Sequence, residues 1–143
     1  MRKSTLLSAA LILGPAAAFA ADLNVVTAID VAESGGAAEV VVRGSKPPSF
    51  TTFSLVDPPR FVVDLAESGL QGVKRKVSGV GVVKEVNAIS FGEGAYATAR
   101  ITVTFVGDVE PPDVMVSGNQ LVLRVRSTGA MVAAAPTAPS PAP

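Results

Sequence analysis

The chain has 143 residues, with 12 Lys and Arg balanced by 12 Asp and Glu, and it lacks histidine, cysteine and tryptophan altogether. These counts exclude zinc sites built from His or Cys, Ser-His-Asp and Cys-His catalytic arrangements, and any disulfide framework. Balanced charge gives no basic field for a polyanion, so nucleic acid is not an expected partner.

Residues 1–20 read as a secretory signal: basic Arg2-Lys3, an apolar run from Leu6 to Leu13, and Ala18-Phe19-Ala20 as a cleavage site before Ala21. The apolar run is shorter than the roughly 20 residues of a spanning helix, and no cysteine is present for acylation. The expectation is an exported chain, without a membrane span after cleavage, whose folded domain covers residues 21–128 and is held by a hydrophobic core alone.

Within that domain, strand candidates follow at short spacing: Leu23 to Ala32, Ala37 to Arg43, Phe50 to Leu55, Arg60 to Leu65, Val82 to Phe91, Ala97 to Phe105, Asp113 to Ser117 and Gln120 to Arg126. Val, Ile, Thr and Phe dominate them, and Ser34-Gly35-Gly36, Lys46-Pro47-Pro48, Gly92-Glu93-Gly94 and Ser117-Gly118-Asn119 separate them as turns. The pattern predicts an all-β fold, a small β-sandwich of about eight strands. A 60-residue offset pairs Ala28 with Ala88, Ile29 with Ile89, Val56 with Val116 and Val62 with Val122, which predicts two pseudo-symmetric four-stranded halves. The register slips by one around Val40 to Arg43. Gly69 to Gly81, with Lys74-Arg75-Lys76 inside it, is expected to be a surface loop joining the halves. Residues 129–143, rich in Ala and Pro, are expected to be a disordered linker or tail.

The most informative stretch is Phe53 to Leu65. Asp57, Pro58 and Pro59 form its structural motif: prolines lack N–H groups, and Pro58 favours an extended Asp57, so the chain reverses there. Beyond the turn, alternation sends Phe61, Val63 and Leu65 inward and Arg60, Val62 and Asp64 outward. The same counting puts Phe53 inside, with Ile101, Val103, Phe105, Leu121 and Leu123. The outer faces are then expected to carry Thr52 and Ser54, Arg60 and Asp64, Arg100, and Arg124, side chains suited to carboxylates and amides. Ring stacking on sugars is disfavoured, since only Tyr96 carries a polar aromatic head. Asp57, Asp64 and Glu67 are close in sequence, but a turn, an exposed face and a loop explain them better than acid–base catalysis, so no enzyme, metal or cofactor is expected.

Val56-Asp57-Pro58-Pro59-Arg60-Phe61-Val62-Val63-Asp64-Leu65 resembles the "dPpRlVvDl" signature of the AMIN domain. Val86 to Phe91 and Ala99-Arg100-Ile101-Thr102-Val103 are similar to that family's later repeat, with Asn87 where Arg is usual and Thr102 where Val is common. The resemblance implies a non-catalytic periplasmic module of the Gram-negative envelope, found at the front of cell-wall amidases and type IV pilus secretins, which binds peptidoglycan and localises its host. Arg60, Arg100 and Arg124 would hold the carboxylates and amides of the wall's peptide stems by bidentate hydrogen bonds, with Asp64, Thr52 and Ser54 beside them. The alternative is a protein-interaction scaffold of a secretin or other envelope complex without direct wall binding.

Overall fold

The computed structural model describes residues 22–127, which form ten strands: β1 (Asn24–Ser34), β2 (Ala37–Gly44), β3 (Phe50–Leu55), β4 (Arg60–Ala66), β5 (Ser68–Leu70), β6 (Lys76–Ser78), β7 (Val83–Phe91), β8 (Thr98–Phe105), β9 (Asp113–Ser117) and β10 (Gln120–Val125). The expected signal over 1–20 and tail over 129–143 lie outside the described residues. The strands build two five-stranded sheets, ordered β5-β1-β2-β10-β9 and β3-β4-β8-β7-β6. The predicted all-β sandwich is what forms.

The core lies between the sheets. Alternation on β8 is complete, with Ala99, Ile101, Val103 and Phe105 buried and the residues between them partly exposed. Val40, Val42, Leu121 and Leu123 meet these side chains from the other sheet in one cluster. The buried side chains are apolar apart from Asn24 and Ser68 among the described residues, the composition a domain without disulfides requires.

The two halves are related by exchange. If β1 to β4 are replaced by β7 to β10 and conversely, the order β1-β2-β10-β9 becomes β7-β8-β4-β3, which is the second sheet. Each half thus donates one hairpin to each sheet. Register refines the equivalences: Val42 faces Leu121 and Ile29, while Val103 faces Phe61 and Val86. Val42 therefore matches Val103, one position beyond the 60-residue offset, as the expected slip requires. Ile29 matches Val86 and not Ile89. The sequence pairing of Ile29 with Ile89 fails because the first is buried and the second is 50% exposed.

The joining segment is more ordered than a loop. Ser68–Leu70 pairs in parallel with the start of β1, and Lys76–Ser78 pairs with β7, so each sheet gains a three-residue edge. Side-chain alternation over three residues is too short to be read from sequence, and neighbouring strands supply the order instead.

Candidate binding face

The β3–β4 hairpin positions the site. Leu55 stands opposite Arg60 and Val56 to Pro59 make the turn, where the Asp57–Pro58 bond is cis and Asp57 has φ +54°. Asp57 is therefore left-handed rather than extended, a conformation that Asp tolerates better than most residues. This four-residue turn fixes the register so that Phe53 faces Val62 and Thr52 faces Val63.

That register moves Phe53 to the outer face, where it is 38% exposed, and puts Thr52 and Ser54 on the side of Phe61 and Val63. Both were expected the other way round. Phe50 and Phe53 are three residues apart and cannot share a strand face. The hairpin selects Phe50, which packs against the core. Val62 also departs from expectation: it stands on the outer face between Phe53 and Thr102 yet is buried.

Asp64 and Arg100 are direct partners on β4 and β8. Arg100 Nε donates to Asp64 Oδ1 and Nη2 to Oδ2, both at 2.7 Å. Two parallel charge-assisted bonds fix the guanidinium plane. The hydrogen bonds to Asp64 hold the Arg100 pKa above its ordinary value, against a smaller opposing effect of desolvation. The guanidinium carbon lies 5.6 Å from the Phe53 ring centre and 5.3 Å from that of Phe91. Phe91 is 46% exposed, and Ile89, opposite Arg100 on β7, completes an apolar border around a neutralised ion pair.

The remaining expected site residues are dispersed. Arg60 shares the outer face with Asp64 but does not pair with it. It lines a cleft of about 270 Å³ with Leu55, Pro59, Asp108 and Glu110, and its Nε is shielded from solvent without a hydrogen-bond acceptor. Arg124 is on β10 in the other sheet, between Glu39 and Asp113, with its Nε 4.0 Å from Glu39 Oε1. Phe53 and Phe91, the rings beside Arg100, were not expected on this face. The signal for Phe53 was two phenylalanines at odd spacing on β3, only one of which the core could take, and Phe91 at the end of β7 had no comparable signal.

Among the described residues no group of three metal-ligating side chains is placed to hold an ion, and no helix is long and apolar enough to cross a membrane. The fold is that of a small β-sandwich, with an ion pair and two aromatic rings ordered together on one open sheet face. The AMIN domain family matches residues 28–127, and the chain belongs to that family. AMIN domains are non-catalytic, occur in periplasmic proteins, and serve amidases and secretins as peptidoglycan-binding targeting modules. Comparison with curated proteins finds no match.

Proposed function

We propose that this chain is a non-catalytic periplasmic module that binds peptidoglycan and so localises an envelope machine or hydrolase, with the outer face of β3, β4, β8 and β7 as its binding surface. One observation carries the reading: a family of wall binders presents here two exposed phenylalanine rings around a clamped Arg100–Asp64 pair. Most exposed apolar groups are scattered and need no explanation, whereas rings ordered around one guanidinium form a defined surface. Co-sedimentation of the purified chain with isolated sacculi tests the proposal. Retention in the supernatant at all protein concentrations overturns it. Export belongs to the same reading, and a periplasmic form whose intact mass begins at Ala21 is its expected mark.

A second reading, docking on a secretin or amidase component, is favoured by one feature. Strand β3 is a sheet edge with neither charge nor proline in Phe50–Leu55, devices that usually block strand addition. Binding to such a protein with no retention on sacculi would select it.

A further inference from the structure

We infer that the part of the wall recognised by this face is the glycan strand and not the peptide stem, an inference that rests on the wall-binding proposal above. The stems are anionic and would need an available cation. Arg100 is not an uncompensated cation, because Nε and Nη2 both donate to Asp64 and the pair is neutral overall, which leaves Nη1 as a donor without net charge behind it. Phe53 and Phe91 stand close to the same guanidinium, which restricts any approach over it. Arg124 is on the opposite sheet beside two carboxylates, and Arg60 is directed to a cleft that also holds Asp108 and Glu110.

What the face offers immediately around this pair is uncharged, the charges of Glu85 and Arg60 lying two rows away opposite Thr104. The rings of Phe53 and Phe91 and the side chain of Ile89 are each at least one-third exposed. Thr51 and Thr102 stand in the same rows and supply neutral hydroxyls. The expectation against ring stacking on sugars considered Tyr96 alone, and the exposure of Phe53 and Phe91 reverses it. A pyranose has the matching chemistry, with an apolar C–H face that packs on an aromatic ring and a rim of hydroxyl and acetamido groups that hydrogen-bond. Two rings 5.6 and 5.3 Å from one carbon are close enough for a single chain of linked sugars to touch both. Asp64 holds Arg100, and Arg100 holds the gap between the rings. The surface is thereby ordered before any ligand arrives, which lowers the entropy lost on binding.

The experiment compares three probes with the full chain: intact sacculi, glycan strands stripped of stems by an amidase, and soluble stem peptides. Sacculi and stripped glycan should bind alike, and stem peptides should not compete. Phe53→Ala and Phe91→Ala should each weaken glycan binding by about threefold to tenfold, as an aromatic contact implies. Met115→Ala, on the outer face of the other sheet, should leave binding unchanged, and thermal midpoints of all three variants establish that they are folded. Binding of sacculi and stem peptides without binding of stripped glycan overturns the inference and leaves the wall-binding proposal standing. Loss of binding to sacculi and glycan together overturns both. Full binding by the folded double variant Phe53→Ala, Phe91→Ala overturns the assignment of the face. Self-association of the chain through these rings, in place of glycan binding, does so as well.

Discussion

Arg100 on β8 donates two 2.7 Å hydrogen bonds to the carboxylate of Asp64 on β4, 36 residues away in sequence. The pair joins the two halves of the chain across the central strands of one sheet. Both side chains keep some solvent contact, at 37% and 23% exposure, so screening limits its energy. A double-mutant cycle of Asp64→Ala and Arg100→Ala should give a coupling of about 1 kcal/mol, at the top of the range for exposed pairs because the geometry is bidentate. A coupling indistinguishable from zero in chemical denaturation would show that the bonds contribute nothing to folding.

Phe61 is buried on the inner face of β4, in register with Val103 and in the same core cluster as Leu121. Phe61→Ala should lower stability by about 3–5 kcal/mol, through lost burial and the cavity left behind. The denaturation midpoint reports this directly, and an unchanged midpoint would contradict the inward assignment.

Gly92 closes the turn after β7 with φ +76°, and a Cβ there would stand 2.3 Å from the Tyr96 carbonyl oxygen. Backbone strain and a backbone clash then act together. Gly92→Ala should cost more than the roughly 1 kcal/mol of a left-handed residue alone. Gly36→Ala is the contrasting case, since φ is +75° but no atom lies within 4 Å of the added carbon. Thermal midpoints should fall further for Gly92→Ala than for Gly36→Ala.

Glu85 accepts a hydrogen bond from Asn87 Nδ2 at 3.0 Å and forms an ion pair with Lys76 Nζ at 2.9 Å. Lys76, then Asn87, hold its carboxyl below the ordinary carboxylate value, with desolvation opposing them. A folded-state pKa lowered in this way adds stability that is complete above the unfolded value and is lost as pH falls through the folded one. Stability measured between neutral pH and pH 3 should therefore decline less steeply for Glu85→Gln than for the parent. Parallel curves would remove Glu85 from the acid response.

The sequence by itself determined the eight principal strands, though not the short β5 and β6, together with the inward set on β4, β8 and β10 and the turn at Asp57-Pro58-Pro59, because period-2 alternation and turn chemistry are local properties. It also disclosed the duplication, since Val62 and Val122 occupy equivalent central strands one offset apart. Only the tertiary structure decided the phase of β3. Alternation says which residues share a face and leaves open which face is buried. The hairpin register settled that by taking Phe50 inward and turning Phe53 out. Arg60 and Asp64 looked related because they share one face of β4, but they are four residues apart with Val62 between them. Residues so spaced lie farther apart than direct cross-strand neighbours, which is why Asp64 takes Arg100. Arg124 reads as similar to Arg60 and Arg100, yet exchange of the halves carries its strand to the other sheet. Membership of a face depends on topology, and topology is fixed by pairings between segments far apart in the chain.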